Sequence, residues 1–373
     1  MSRFVISCGG TGGHLAPGIA LGEALLARGD GAVLLTSRRR VDAELSSRYA
    51  GLTFVPMPGS GFGWSPRVLA RFVWSQTAAL FLCWRLLRRE RPRAAVGFGG
   101  FTSFPLVVAA RLLGIPVALH ESNRVPGRAV RILGRLARRV YLPPGVVLPA
   151  LGASVVRPLT LPVRREIRRG DPAAARAALG LDPSRRVVAV LGGSQGAGSL
   201  NAWARRAAAP LAAAGVQLHV ITGPGKDRAE TIEHPSPSGP VRAVFEPFCG
   251  RMADLLTAAD LVVSRAGAGT IAELIRCGTP AVLVPYPAAA DNHQEANAAW
   301  FAAAGGGRLL PEPRLAELDG LVRELVLDDA GLAACRQALR TLQRADPLAE
   351  MLADLDSLVG TPAGAGRAGL APA

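Results

Sequence analysis

Residues 4–28 read F-V-I-S-C-G-G-T-G-G-H-L-A-P-G-I-A-L-G-E-A-L-L-A-R. Residues 4–8 make a short, nearly unbroken apolar run, the pattern of a strand buried on both faces. Glycines then flank Thr11 on both sides, and from residue 15 to 28 apolar side chains recur at helical spacing. Strand, glycine turn and helix together open a parallel α/β sheet. Short apolar runs return at 32–36, 53–57, 94–98 and 117–120, with helical stretches between them. They return again at 187–191, 217–221, 261–264 and 281–285. The fold class is therefore α/β, with two parallel-sheet, Rossmann-like domains carrying helices on both faces. Residues 142–171, rich in Pro, Gly and Arg, form the linker. The expected units are residues 1–158, residues 159–345, and a C-terminal segment 346–373 made of a helix and a disordered tail. Residues 230–240 (E-T-I-E-H-P-S-P-S-G-P) are expected to be a surface loop. Ligands of open α/β sheets sit beyond the carboxyl ends of the strands, so two such sheets define a cleft between their strand-end loops.

A chain of 373 residues is long enough for two cores, and 49% hydrophobic with 19% charged residues excludes wholesale disorder. The formal charge is +15, and Lys226 is the only lysine. Such arginine bias, with abundant Ala, Gly and Pro, follows from a GC-rich genome; the location of the charge is more telling. Residues 1–170 carry 25 Arg against 7 acids, a net +18, whereas the remainder carries 18 Lys and Arg against 21 acids, a net −3. The five cysteines form no C-x-x-C pair, which fits reduced, buried or idle thiols in a cytoplasmic compartment. Residues 1–8 lead straight into glycines without a basic leader, so no export signal is expected. No two of the five histidines have metal-ligand spacing, and neither a metal site nor a cofactor is expected.

The motifs stand just after strands. Gly9-Gly10-Thr11-Gly12-Gly13-His14 brings backbone N–H groups and a helix N-terminus to an anion, although a plain tight turn would also need glycine. Its spacing departs from the dinucleotide fingerprint G-x-G-x-x-G, which argues against a dinucleotide even with Ser37-Arg38-Arg39-Arg40 placed to meet a 2′-phosphate. Gly97-Phe98-Gly99-Gly100-Phe101-Thr102-Ser103 is a second strand-to-helix glycine turn. His120-Glu121-Ser122-Asn123 puts hydrogen-bonding side chains at a strand end, better placed for recognition than for packing. In the second half, Gly192-Gly193-Ser194-Gln195-Gly196-Ala197 makes another phosphate cradle. Ser264-Arg265-Ala266-Gly267-Ala268-Gly269-Thr270-Ile271-Ala272-Glu273 opens a further helix, with Glu273 either accepting from a diol or closing a capping box with Thr270. Asp291-Asn292-His293-Gln294-Glu295-Ala296-Asn297 offers amides that suit sugar hydroxyls, or simply a polar first turn.

These motifs, in this order from about Arg3 to the helices beyond Gly307, resemble the MurG family of transferases in peptidoglycan synthesis. The resemblance implies a GT-B glycosyltransferase fold, with the acceptor on the N-terminal domain and UDP-N-acetylglucosamine mainly on the C-terminal one. It implies inverting transfer of N-acetylglucosamine to the 4-hydroxyl of undecaprenyl-linked N-acetylmuramoyl-pentapeptide. The donor residues it implies are Thr11, Gly12, Gly13, Asn123, Arg164, Ser194, Phe248, Ala268, Gly269, Thr270, Glu273, Gln294 and Asn297. Phe248 falls at the uracil and Glu273 at the ribose. Two departures are Ser122, where glutamine is common, and Thr160-Leu161-Pro162-Val163-Arg164 for G-N-P-V-R, which leaves Arg157 a rival of Arg164 at the diphosphate. The nearest competitor is another GT-B lipid glycosyltransferase, such as one acting on diacylglycerol.

Inverting transfer needs a base, and His14, at a helix start that favours neutral imidazole, is the first candidate; Glu121 is the second. No D-x-D pair follows a strand, so backbone N–H groups and arginine are expected to meet the leaving diphosphate without a metal. Residues 68–87 are the most apolar stretch, yet Arg71, Gln76 and Arg85 interrupt it as a membrane span. Phe72, Trp74, Phe81 and Trp84 beside Arg85, Arg88 and Arg89 instead read as a helix lying on the anionic inner-membrane surface. At 100° per residue, Arg124, Arg128, Arg131, Arg135 and Arg138 are expected on one helix face without acids. No nucleic acid is expected, since no binding module accompanies the basic half. The implied location is peripheral, at the cytoplasmic face of the cell membrane.

Overall fold

A computed structural model describes residues 3–9, 12–38, 40–59, 65–100, 102–193, 196–343 and 346–360. Thr11, Ser194 and the tail 361–373 lie outside the described residues. The first half runs β1 (Arg3–Ser7), α1 (Gly12–Ala27), β2 (Gly31–Ser37), α2 (Arg40–Ser46), β3 (Thr53–Met57), α3 (Pro66–Glu90) and β4 (Ala94–Gly97). It continues with α4 (Ser103–Leu112), β5 (Val117–His120), α5 (Arg128–Leu133), β6 (Arg139–Leu142) and β7 (Val156–Pro158). These seven strands form one parallel sheet in the order β3-β2-β1-β4-β5-β6-β7. Alternation within β1 divides the core: Phe4 and Ile6 pack on the α1 side, Val5 on the side of α3 and α4.

The second half runs α6 (Pro172–Ala178), β8 (Val187–Leu191), α7 (Gly198–Ala213), β9 (Gln217–Ile221), β10 (Glu230–His234), β11 (Val241–Glu246), α8 (Met252–Ala258) and β12 (Leu261–Ser264). It ends with α9 (Ala268–Cys277), β13 (Ala281–Leu283), α10 (His293–Ala303), β14 (Gly307–Leu309), α11 (Leu318–Leu327), α12 (Asp329–Leu342) and α13 (Pro347–Val359). Its sheet order is β10-β11-β9-β8-β12-β13-β14. Helix α13 returns to the first half, where Leu348, Met351 and Leu355 are buried against the α1 side of the first sheet.

Two expectations are corrected. Residues 230–240 are not a loop throughout, because β10 pairs antiparallel with β11 and only the Pro- and Gly-bearing residues between them turn. Alternating half-buried and exposed residues, as an edge strand requires, hid β10 among polar side chains. The five arginines of 124–138 do not share a helix face. Gly127 is the N-cap of a six-residue α5, and a single 3-10 turn, Gly134–Leu136, follows it. Arg124 therefore precedes the helix and Arg138 lies beyond it. The acid missing from this segment comes from the second half, where Asp291 pairs with Arg131.

Candidate active site between the two sheets

On the first sheet, α1 begins at Gly12, so His14 lies in its first turn. Gly9 admits no side chain, since a Cβ there would fall 2.3 Å from the Ser37 nitrogen. The His14 ring rests on the second glycine turn, where Gly99 and Gly100 have φ of +87° and +73° and a Cβ on Gly100 would stand 3.2 Å from the ring. Thr102 Oγ1 donates to the Gly9 carbonyl at 2.9 Å, joining the two turns, and Ser103 Oγ donates to that of Gly99 at 2.7 Å within the second. Burial lowers the His14 pKa to about 4, opposed by Asp42 and assisted by His293 across the cleft. The imidazole is neutral at physiological pH.

The strand-end tetrad is more internal than its composition implies. His120 is fully buried near Phe98 and Tyr141, and burial lowers its pKa to about 4. Glu121 is buried with both oxygens engaged: Oε1 accepts from Asn123 N at 2.8 Å and Asn123 Nδ2 at 3.1 Å, and Oε2 accepts from Gly127 N at 2.7 Å. It closes the loop 121–127 on itself. Asn123 and Arg124 then meet the second half, where Asn297 Nδ2 donates to Asn123 Oδ1 at 3.1 Å and Asn297 Oδ1 accepts from Arg124 N at 2.9 Å. Gln294 braces the facing loops, accepting from Ala266 N at 3.2 Å and Tyr286 N at 3.0 Å.

From the second sheet, Gly267 caps α9, so Ala268, Gly269 and Thr270 form its first turn. Thr270 is inside the helix, which removes the capping-box reading of Glu273. A Cβ on Gly269 would lie 3.9 Å from Gly13 Cα, so the N-termini of α1 and α9 face each other across the cleft. The first N–H groups of a helix have no partner within it, so two positive helix ends converge there, a setting for a diphosphate. Gly192 and Gly196 are excluded from bearing side chains, by Ala197 N at 2.4 Å and the Thr222 carbonyl at 2.5 Å.

Arg164, not Arg157, stands in the cleft. Its Nη2 donates to Glu273 Oε1 at 3.1 Å and its Nη1 to the Tyr49 hydroxyl at 3.1 Å. The Tyr49 hydroxyl donates in turn to Glu166 Oε1 at 2.6 Å. Burial raises the Glu273 pKa, with Arg164 opposing; burial would lower that of Arg164, but Glu273 and Tyr49 outweigh it and raise it. Arg157 lies on the edge strand β7, donating to the Ala153 and Val156 carbonyls. The Phe248 ring is 42% exposed, with the Arg48 guanidinium 4.5 Å from its centroid. Sequence reasoning missed Arg48, Tyr49 and Glu166, because no glycine or strand-end pattern marks them. It also missed that Arg265 is held by Glu312 through 2.8 and 2.9 Å bonds, and so is structural.

On the outer surface of the first half, α3 exposes Val73, Trp74 and Phe81, with Arg85 near the Phe81 ring and Arg88 near that of Trp84. Phe72 and Trp84 are half-buried, Arg85, Arg88 and Arg89 exposed. Leu112 at the end of α4 and Ile132 on α5 are exposed as well. Among the described residues no helix is long and apolar enough to cross a membrane.

Two Rossmann-like parallel sheets facing a cleft, with helix N-termini opposed across it, define the GT-B class of glycosyltransferases. Residues 4–142 match the glycosyltransferase family 28 N-terminal domain, and residues 187–349 its C-terminal domain. The chain is 51% identical over 374 residues to the UDP-N-acetylglucosamine--N-acetylmuramyl-(pentapeptide) pyrophosphoryl-undecaprenol N-acetylglucosamine transferase of Opitutus terrae, covering 100% of this chain and 99% of that one. It is 38% identical over 312 residues to the transferase of the same name from Parasynechococcus marenigrum, covering 82% of each. Among solved structures, MurG of Acinetobacter baumannii superposes with a TM-score of 0.72 at 24% identity, over 96% of this chain and 100% of that one. The calicheamicin glycosyltransferase CalG4 does so with a TM-score of 0.66 at 16% identity, over 97% and 99%. These two likenesses speak for the fold. The chain belongs to glycosyltransferase family 28 and, within it, to the MurG family.

Proposed function

We propose that this protein transfers N-acetylglucosamine from UDP-N-acetylglucosamine to the 4-hydroxyl of undecaprenyl-diphospho-N-acetylmuramoyl-pentapeptide, with inversion at the anomeric carbon. The observation that carries this reading is identity of 51% along the whole chain to a transferase of that name. The cleft supplies parts that suit the chemistry. His14, neutral and held by the Gly99–Gly100 turn, is the base that takes the acceptor proton. Glu121 has both oxygens bound within its own loop, which favours His14 for that role. The opposed N-termini of α1 and α9, together with Arg164, receive the diphosphate as UDP leaves. Glu273 takes the ribose hydroxyls, Phe248 lies at the uracil, and Asn123, Gln294 and Asn297 line the sugar. The remaining donor contacts assigned by family resemblance are Thr11, Gly12, Gly13, Ser194, Ala268, Gly269 and Thr270.

No D-x-D carboxylate pair follows a strand, and the opposed helix ends offer positive charge in its place. Turnover is therefore independent of divalent metal. The exposed aromatic and arginine surface of α3 holds the enzyme peripherally on the anionic cytoplasmic face of the membrane, where its acceptor resides. The test is UDP release with a lipid-linked muramoyl-pentapeptide acceptor, with and without excess chelator. Release with that acceptor, and none with diacylglycerol, is the expected result. Preference for diacylglycerol would reassign the acceptor, and strict Mg²⁺ dependence would refute the metal-free mechanism.

A further inference from the structure

The turn between α2 and β3 places two consecutive residues of the first half across the cleft. Tyr49 reaches Arg164 and Glu166, as described above. Arg48, itself exposed, makes its described contacts with the second half: its guanidinium lies 4.5 Å from the Phe248 centroid, and its Nη1 stands 3.4 Å from the Gly250 carbonyl. A Cβ on Gly250 would approach that nitrogen to 3.1 Å, so the small residue leaves the arginine its place. Phe248 is a large apolar ring in the loop after β11, partly open to solvent, and the Arg48 guanidinium lies over it. A planar guanidinium both stacks on flat rings and donates in their plane, which an ammonium cannot do.

We propose that Arg48 is a specificity-determining contact to the nucleotide: it closes the base end of the donor site from the N-terminal domain and donates to a carbonyl oxygen of uracil lying at Phe248. The proposal rests on the reading that this cleft binds UDP-N-acetylglucosamine with its base at Phe248. Uracil offers two carbonyl acceptors and a flat face, the complement of a guanidinium fork. Because Tyr49 adjoins Arg48 and bonds the arginine paired with Glu273, one turn of the first domain meets both ends of the nucleoside. Reading of the base thereby requires the domains to be closed on each other.

The test compares full-length wild type with Arg48→Ala and Arg48→Lys in equilibrium binding of UDP, steady-state transfer, and inhibition by inorganic pyrophosphate, which has no base. Arg48→Ala is expected to weaken UDP and raise the KM for UDP-N-acetylglucosamine in parallel, each roughly tenfold. Its kcat stays within about twofold and its pyrophosphate inhibition is unchanged. Arg48→Lys keeps the charge but not the plane, and remains impaired. Unchanged UDP affinity in Arg48→Ala overturns the proposal, and so does an equal loss for UDP and pyrophosphate, which would make Arg48 a general electrostatic contact. Wild-type protein that binds no UDP at all would defeat the underlying donor reading as well, so the two failures are distinct.

Discussion

His14 and Glu121 are the two candidates for the base, and their surroundings separate them. The Glu121 oxygens already accept three N–H groups of residues 123–127. His14 rests on backbone, with a pKa lowered to about 4 chiefly by burial. A base with a lowered pKa stays unprotonated throughout the physiological range, so the acid limb of kcat/KM lies near 4 rather than at the ordinary 6.5 of histidine. His14→Ala should cut kcat by a factor on the order of 10²–10⁴ while donor KM moves only a few-fold. A near-normal kcat would remove His14 from the role. Glu121→Gln turns one acceptor oxygen into a donor facing an N–H, costing about 1–3 kcal/mol of stability, and leaves the pH profile of kcat unchanged. His120 adds a stability signature. Its folded pKa of about 4 lies below the unfolded 6.5, so its contribution is complete above 6.5 and fades as pH falls towards 4. The loss is on the order of 3 kcal/mol for this fully buried ring, and urea unfolding of wild type against His120→Gln at pH 7.5 and 4.5 separates it from that of His14, whose pKa is lowered alike.

At the scale of elements, β1–β5, β8, β9, β12 and β13 were legible because parallel strands buried on both faces are written as unbroken apolar runs, whereas β6, β7, β11 and β14 passed unread. Strand β10 was not legible either, since one edge of it faces water and its side chains alternate. The arginines of 124–138 were misread as one helix face because periodicity carries no mark of where a helix begins, and Gly127 delays α5. Glycine motifs were legible because close approach demands glycine; Arg48 and Tyr49 were not, since their meaning lies in partners more than a hundred residues away. Helix α3 shows how an element can advertise function by breaking a packing rule. It buries one face through Ala79, Cys83, Leu86 and Leu87, yet leaves Trp74 and Phe81 at 77% and 62% exposure among arginines. Replacing Trp74, Phe81 and Trp84 together by Ala should lower partitioning onto vesicles containing anionic lipid roughly tenfold or more, with UDP binding retained. Unchanged partitioning would detach α3 from the membrane role.

At the scale of the whole molecule, the charge divides as the work does. The half carrying +18 presents the arginine-flanked helix, and the half carrying −3 presents the glycine turns that, in the proposed reading, meet the nucleotide. The division is not a division of folding. The chain crosses between the sheets before α6 and crosses back before α13, whose Leu348, Met351 and Leu355 complete the core beneath β1 and α1. The helix that carries His14 is thus packed on residues from the other end of the chain, and the domain of the first sheet is unfinished until the last described helix is made. Met351→Ala or Leu355→Ala removes a fully buried side chain from that core and should cost about 2–5 kcal/mol each, read as a lower denaturant midpoint. Because α1 sits on the same cluster, the damage should reach the cleft as reduced kcat at temperatures where donor binding to the second domain persists. If either variant unfolds at the wild-type midpoint, α13 is an appendage and the first-sheet domain folds without it.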